Sequence, residues 1–244
     1  ISHSDNSLEY PAGGGSIIAK TLSELTLNQI HFFTALGNDD YGDRCFKIIS
    51  SMGIKLHVAW RDKTTRRGFS MIDSQGERAI TVIGERLAPN YRDNLDWSIF
   101  KTMDGIFITA SDSKIFKMAR SASILCTTPR VGINTINKSN VSLDGLIGSN
   151  LDPGEFYSFS ELSVKPEYII KTEGEKGGVI FPGGRYEALK NKKLKVDSYG
   201  CGDSFAAGIL YGMASKWNID KSLNLAKIIG RNASEFFGPY AKDD

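Results

Sequence analysis

Residues 197–208 read DSYGCGDSFAAG, and this stretch decides how the rest of the chain is interpreted. Gly200 and Gly202 flank a single small residue and are followed directly by Asp203. An apolar run rich in small residues then continues to Ala214, and it is too short to span a bilayer. The pattern predicts a buried helix that begins beside Asp203.

The loop before this helix is suited to an anion. Gly200 and Gly202 permit backbone conformations that other residues resist, and they leave room for a ligand at the main chain. The free N–H groups of the loop and the positive end of the helix dipole face the same point. Asp203 at the edge of that point is placed to take a proton from a hydroxyl that attacks phosphorus, although a carboxylate there also serves as a plain helix cap. The local chemistry predicts a phosphoryl-transfer site.

Length and composition limit the classes of protein to consider. A chain of 244 residues suits one α/β domain with a small appendage, and a net charge of +2 gives no reason to expect a nucleic-acid partner. The three cysteines lie far apart without a C-x-x-C pair, which favours a reducing compartment. No stretch has membrane length and no signal-peptide pattern opens the chain, so we expect a cytoplasmic protein without a membrane partner.

The second half of the chain alternates between strand and helix patterns. Strands are predicted at 104–109, 124–128, 145–148, 168–172 and 179–181, and helices at 114–121 and 223–237. Such alternation predicts a parallel sheet covered by helices on both faces, with ligands at the carboxyl ends of the strands. Earlier in the chain we expect a buried strand at 31–37, a helix at 43–52 and a hairpin of strands 68–72 and 79–83.

The stretch 197–208 resembles the C-terminal signature of the ribokinase-like (PfkB) carbohydrate kinases, D-T-x-G-A-G-D-x-F-x-x-G. The positions that match are Asp197, Gly200, Gly202, Asp203, Phe205 and Gly208. Cys201 replaces the usual alanine and Ser198 the usual threonine, and both remain small. The resemblance implies a three-layer α/β sandwich with a mostly parallel central sheet and a small β-lid. The core would comprise 12–63 and 87–244, and the lid region 1–11 and 64–86.

The segment 12–16, AGGGS, is similar to the family's N-terminal glycine pair, which grips sugar hydroxyls. The resemblance implies that Gly13 and Gly14 bind substrate. Ile17 stands where many members carry an asparagine that contacts the sugar, so the usual pentose or hexose specificity stays open. Members also begin with a strand and a sugar-binding aspartate ahead of the glycine pair. We expect the sheet to lack a central strand if that segment is absent.

A second segment, 32–42, is similar to the family pattern F-x-x-x-x-G-x-D-x-x-G. The resemblance implies that Asn38 and Asp39 line the sugar cleft. A structural turn is the alternative, and we interpret Asp40 and Asp43 as helix-capping residues.

Three further elements concern the nucleotide and its metal. Asp152-Pro153-Gly154-Glu155 is similar to an N-x-x-E element that helps to hold Mg²⁺, although a plain Pro-Gly turn would read the same way. The sites that the resemblance implies are Glu155 and Asp152 for Mg²⁺, and Thr172, Gly174, Gly177 and Asn232 for ATP. Asn232, with Ser234, lies where the family packs against adenine, and ordinary helix packing is the alternative.

The leading hypothesis is an ATP-dependent kinase of a sugar or sugar-like alcohol. Asp203 would act as general base, and the N–H groups of Gly200, Cys201 and Gly202 would stabilise the transferring phosphoryl group. The alternatives are a nucleoside kinase of the same fold and a non-catalytic binding protein. A nicotinamide-dependent dehydrogenase is disfavoured because no G-x-G-x-x-G follows a first strand. The acceptor, a monovalent cation near Asp197 and a homodimer formed through the lid stay open.

Overall fold

A six-stranded sheet flanked by helices forms the centre of the computed structural model, which describes residues 8–72, 78–190 and 196–241. The helices are α1 (Gly14–Leu25), α2 (Asp40–Ser51), α3 (Ser113–Ala119), α4 (Ile133–Ser139), α5 (Cys201–Ala214) and α6 (Ile219–Asn232). The strands are β1 (His31–Gly37), β2 (Lys55–Arg61), β3 (Arg67–Ile72), β4 (Arg78–Ile83), β5 (Gly105–Ile108), β6 (Ile124–Thr127), β7 (Gly145–Ser149), β8 (Tyr168–Thr172), β9 (Gly178–Phe181) and β10 (Gly184–Tyr186).

The strand order of the central sheet is β10-β9-β8-β7-β6-β5. Strands β5 to β8 run parallel, whereas β9 and β10 extend the sheet in antiparallel fashion. The predicted α/β class with a mostly parallel sheet is therefore confirmed. The antiparallel extension by β10, and the helix α4, were not predicted.

Both faces of this sheet are apolar because each central strand carries apolar side chains in succession. Leu125, Leu146 and Ile169 pack with residues of α3 and α4. Their neighbours Cys126, Ile147 and Ile170 point to the opposite face and pack with α1, α5 and α6. Strand side chains alternate between faces, so two layers of helices are needed to cover such strands.

The sheet is interrupted between β1 and β5. Among the described residues, β1 pairs only with β2, and β5 is the outer strand of the central sheet. A cavity of about 340 Å³ lies between these two strands, with apolar residues of α1 and α5 on one side and Phe100 and Ile115 among those on the other. In the described part of the chain, β1 and β5 are therefore both edge strands.

The predicted strands lie within a residue or two of the observed ones, and the helix boundaries differ more. Helix α2 begins at Asp40 rather than at 43 because the Asp39 carboxylate accepts the Gly42 N–H at 2.8 Å and caps the helix there. Helix α6 begins at Ile219, where Asn218 caps it, and ends at Asn232. Helix α1 begins at Gly14, so the glycine segment belongs to the first helical turn.

The predicted hairpin is present as the antiparallel pair β3 and β4. Its turn at 73–77 and the lysines at 192, 193 and 195 lie outside the described residues. In the three described ranges, no helix combines the length and the apolar composition that a membrane crossing requires.

Candidate active site

Two helix N-termini meet at the bottom of a large cleft. A methyl carbon added to Gly14, in the first turn of α1, would lie 2.5 Å from the Asp203 Oδ1 atom in the first turn of α5. The structure therefore brings the N-terminal glycine segment and the C-terminal signature together, although they lie at opposite ends of the chain. Only a residue without a side chain fits between the α1 backbone and this carboxylate.

Asp203 is half-buried, and it is among the residues that line the cleft. Burial raises the pKa of its carboxyl group to about 6, with Arg130 lowering the pKa and Glu155 raising it to smaller extents. A carboxyl group with this pKa is mostly ionised at neutral pH and still binds a proton readily. These are the properties of a general base.

The loop that opens α5 has the backbone that its glycines predict. Gly200 is the N-cap of α5 and adopts a left-handed conformation with φ of 80°, and a Cβ there would approach Ile17 to 3.0 Å. A Cβ at Gly202 would meet nothing within 4 Å. The Cys201 N–H donates to the Ser198 carbonyl over 3.4 Å, a long hydrogen bond. All three residues line the cleft.

Glu155 and Asp152, the two predicted metal ligands, bind the same arginine. The Arg130 Nε atom lies 2.5 Å from Glu155 Oε1, and its Nη2 atom contacts Asp152 Oδ2. Glu155 is 6% exposed, and its Oε2 accepts the Ser149 N–H at 2.8 Å. Burial lowers the pKa of Arg130, but Glu155, Asp152 and Asp203 outweigh this effect and raise the pKa overall.

Arg130 was missed in the sequence analysis. It lies in the short turn after β6, at the carboxyl end of a parallel strand, where ligand-binding residues of α/β proteins are expected. This position was the available signal. Its partners could not be inferred, because Asp152 and Glu155 lie on a different loop.

The predicted ATP residues Thr172, Gly174 and Gly177 line the same cleft at the carboxyl end of β8. Gly177 has φ of 84°, and a Cβ there would lie 2.0 Å from the Tyr186 carbonyl oxygen. The Thr172 hydroxyl donates to the Gly148 carbonyl at 3.3 Å. Gly177 is therefore required by the tight turn itself, whether or not a nucleotide binds beside it.

Three predicted site residues are not among those that line the cleft. Both Asp39 oxygens are engaged, with Oδ1 accepting from the Gly42 N–H and the Thr65 hydroxyl and Oδ2 from the Thr65 N–H. Burial alone would raise the pKa of Asp39, but these hydrogen bonds lower it. Asn38 is exposed, and Asn232 accepts hydrogen bonds from the Arg231 guanidinium. Contact of Asn38, Asp39 and Asn232 with a ligand stays a prediction.

The acidic residues of the site do not by themselves form a metal cage. Within the described ranges, no group of three or more His, Cys, Asp or Glu side chains is arranged to hold a metal ion. Glu155 and Asp152 nevertheless share one cation, the Arg130 guanidinium. Two carboxylates completed by phosphate oxygens are the set of ligands in which proteins commonly hold Mg²⁺.

A sequence model described as pfkB family carbohydrate kinase matches residues 2–125 and 160–234. These segments make up most of the chain, which therefore belongs to the pfkB family of carbohydrate kinases. The protein is accordingly a kinase that transfers a phosphoryl group to a hydroxyl of a small-molecule substrate, and ATP is the donor that this family implies. No curated protein matches the chain.

Solved structures with this fold include sugar and nucleoside kinases. Ribokinase from Thermotoga maritima is 20% identical in sequence, with a TM-score of 0.75. The alignment covers 97% of this chain and 86% of the ribokinase chain. Adenosine kinase from Sinorhizobium meliloti is 17% identical with a TM-score of 0.74, with coverage of 94% and 84%. Burkholderia thailandensis nucleoside kinase in complex with inosine is 17% identical with a TM-score of 0.71, with coverage of 93% and 80%. At these identities the likeness concerns the fold.

Proposed function

We propose that the protein transfers the γ-phosphoryl group of ATP to a hydroxyl of a sugar or sugar-like acceptor, with Asp203 as general base. Asp203 takes the hydroxyl proton as the acceptor oxygen bonds to the γ-phosphorus. The bond between that phosphorus and the β,γ-bridging oxygen breaks, and ADP leaves. The N–H groups of Gly200, Cys201 and Gly202 stabilise the charge on the transferring group.

The contact between Gly14 and Asp203 is the observation that carries this proposal. It supports a site in which the acceptor lies against the first turn of α1, with one hydroxyl beside the Asp203 carboxylate. Gly13, which precedes this turn and lines the cleft, would contribute backbone groups to the acceptor. A raised carboxyl pKa at this point fits a group that must accept a proton at neutral pH.

Glu155 and Asp152 would hold Mg²⁺, and that ion would neutralise charge on the phosphate oxygens. Because both carboxylates are paired with Arg130, the guanidinium would have to turn toward the phosphates when the metal enters. Thr172, Gly174 and Gly177 would lie along the nucleotide, with Asn232 near the adenine. A monovalent cation would bind near Asp197, whose carboxylate accepts the N–H groups of Tyr199 and Gly238.

Residues 64–86 would form a lid together with 1–11, over a core of 12–63 and 87–244. Strands β3 and β4 carry exposed apolar side chains on a sheet that pairs with no other described strand. Covering the acceptor would keep water from the phosphoryl group. The same apolar surface would support a homodimer formed through two lids.

Nucleoside kinase activity is the second candidate. Phe69 and Met71, which share one face of β3, are more than half exposed and line the cleft. An apolar wall of this kind would suit a planar base better than the hydroxyls of a sugar. The same wall would serve a non-catalytic binding protein equally well, so turnover has to decide.

The test is ATP turnover with Mg²⁺ across a panel of sugars, sugar acids, sugar phosphates and nucleosides, for wild type and Asp203→Asn. We expect one acceptor to stimulate ADP formation, and we expect the variant to lose about 10²–10⁴-fold in kcat, the usual contribution of a general base. ATP binding without turnover on any acceptor would favour the binding protein. An active Asp203→Asn variant would remove Asp203 from the mechanism.

A further inference from the structure

The cleft carries more positive charge near the lid than its carboxylates balance. Arg66 precedes β3, Arg67 opens it, and Arg86 follows β4, and all three line the cleft. Across the lid base, a Cβ at Gly84 would lie 3.5 Å from the Arg66 Cα atom, which places Arg66 beside the chain that leads to Arg86. Among the described residues, neither Arg66 nor Arg86 has an ion-pair partner.

Arg86 is held in place by backbone carbonyls alone. Its Nη2 atom donates to the Thr109 carbonyl at 2.8 Å and its Nη1 atom to the Arg130 carbonyl at 3.3 Å. Although the residue as a whole is exposed, its charged end is crowded. Burial lowers the pKa of the guanidinium first, and repulsion from Arg66 and Arg130 lowers it further. A cation in this position is stabilised by any anion that joins it.

The Arg67 side chain has one buried N–H group that lacks a hydrogen-bond acceptor. Its Nη1 atom donates to the Tyr41 hydroxyl at 3.1 Å, and the guanidinium carbon lies 4.7 Å from the centre of the Tyr41 ring. Its Nε atom is buried and has no hydrogen-bond partner. An unsatisfied buried donor is costly, and a ligand oxygen would remove that cost.

These arginines lie at the acceptor end of the cleft. The carbonyls that hold Arg86 follow β5 and β6, whereas the residues proposed for ATP follow β8. Neighbouring strands are about 4.8 Å apart, so at least two strand spacings separate Arg86 from the nucleotide side. Arg130 lies between the acceptor end and the nucleotide side of the cleft, because its side chain turns toward Glu155 and Asp152.

We infer that the acceptor is an anion, a sugar phosphate or a sugar acid, whose charged group is bound by Arg66 and Arg86 beneath the lid with Arg67 beside them. This inference rests on the proposed function for the identity of the acceptor side. A guanidinium matches the geometry of both phosphate and carboxylate, so the two groups share one chemistry. The opposite end of the acceptor then presents its hydroxyl to Asp203.

The experiment uses calorimetry in the presence of ADP to compare the binding of three matched pairs of ligands, each with one anionic and one neutral member. The pairs are fructose 6-phosphate with fructose, ribose 5-phosphate with ribose, and gluconate with sorbitol. We expect at least one anion to bind about tenfold or more tightly than its neutral counterpart, the size of one charge-assisted pair. Arg86→Gln and Arg66→Gln should each abolish most of this preference. The matched control Arg92→Gln, at an exposed arginine outside the cleft, should retain it.

The outcomes separate this inference from the proposed function. Equal or tighter binding of the neutral members, or no binding of any anion at millimolar concentration, overturns the anionic acceptor while kinase activity on neutral acceptors stands. A loss of affinity for ATP rather than for the acceptor in Arg86→Gln also overturns it, because the arginine then serves the nucleotide. Arginine-dependent anion binding without phosphoryl transfer would instead contradict the proposed function alone. Preference among the three pairs distinguishes a phosphate from a carboxylate.

Discussion

At the scale of single residues, Asp203 combines the role of general base that we propose with an energetic penalty. Its carboxyl group is surrounded by protein, and its pKa is raised from 3.8 to about 6. Folding therefore favours the protonated form, and ionisation at neutral pH destabilises the folded state. Groups that are poised in this way are common at active sites, where function rather than stability selects the residue.

Replacing Asp203 by asparagine should raise stability while it removes activity. The energetic cost of ionising Asp203 in the folded protein is absent below about pH 4, near the pKa of this group in the unfolded chain. It grows as pH rises and is complete above about pH 6. At pH 8 the variant should exceed wild type in free energy of unfolding by on the order of 3 kcal/mol, and at pH 4 the two should be nearly equal. Urea denaturation at both pH values measures the difference. A variant less stable than wild type at pH 8 would contradict a buried, unfavourable carboxylate.

The pH dependence of kcat/KM should report the same group. Asp203 must be ionised to accept a proton, so kcat/KM should fall tenfold per pH unit as pH drops below about 6. Arg130 lowers the pKa of Asp203, so Arg130→Gln should move the inflection to higher pH. The exposed Arg92→Gln variant serves as control and should leave the inflection unchanged. An inflection that does not move in Arg130→Gln would mean that another group controls the profile.

The variant Gly14→Ala tests whether catalysis needs the close approach of α1 to the Asp203 carboxylate. In Gly14→Ala the new methyl carbon needs the space of Asp203 Oδ1, 2.5 Å away, so the carboxylate has to shift. We expect kcat/KM to fall about 10²-fold, the effect of misplacing a catalytic group by roughly 1 Å. Circular dichroism should report an intact fold, since alanine suits the first turn of a helix. Full activity in this variant would show that catalysis does not depend on the position that the Asp203 carboxylate takes against α1.

At the scale of elements, Asp39 joins two segments of the chain. Its carboxylate caps α2 and also accepts two hydrogen bonds from Thr65, at the base of the hairpin that begins at Arg67. A motif that suggests substrate contact in the sequence thus has a structural task in the folded chain. An aspartate directly before a helix is expected to do this work.

Asp39→Ala should therefore destabilise the protein by about 2–4 kcal/mol, from the lost cap and the Thr65 groups left without a partner. The neighbour Asp40 is exposed in the first turn of α2, so Asp40→Ala is a matched control expected to cost less than about 1 kcal/mol. Urea denaturation gives both values. If Asp39→Ala keeps its stability and instead raises the KM for the acceptor, the substrate role predicted from the sequence is correct.

At the scale of the whole molecule, the sheet has an internal gap between β1 and β5. In β1 the Ile30 carbonyl, which directly precedes the strand, accepts the Lys55 N–H and faces β2. In β5 the preceding Asp104 carbonyl accepts the Ile124 N–H and faces β6. Because backbone groups alternate along a strand, the amides of Phe33 and Phe107 point the other way, toward the cavity.

Hydrogen exchange followed residue by residue by NMR should reveal this gap. The Phe32 amide, bonded to β2, should be protected, whereas the adjacent Phe33 amide should exchange much faster. The same alternation should hold for Ile106 and Phe107 in β5. Each strand thus supplies its own control. Equal protection of both members in each pair would mean that β1 and β5 are bridged in solution, by each other or by another strand.

The local features of this protein can be predicted from its sequence alone. Residues 197–208 specify a glycine loop and a buried helix through steric freedom and apolar composition, and the strands follow from short apolar runs. The family signature then led to the kinase class. These features depend on residues that are close together in the sequence, so the sequence pattern predicts them.

The contacts between distant segments follow from the tertiary fold and not from the local sequence. Gly14 contacts Asp203 because α1 and α5 pack on the same face of the sheet, and Arg130 pairs with Glu155 because β6 and β7 are adjacent. The same holds for Arg66 and Arg86, which have no ion-pair partner among the described residues, and for the gap between β1 and β5. A side chain finds its partner among the loops that end at one edge of the sheet, and strand order is a long-range property that spacing along the chain does not encode.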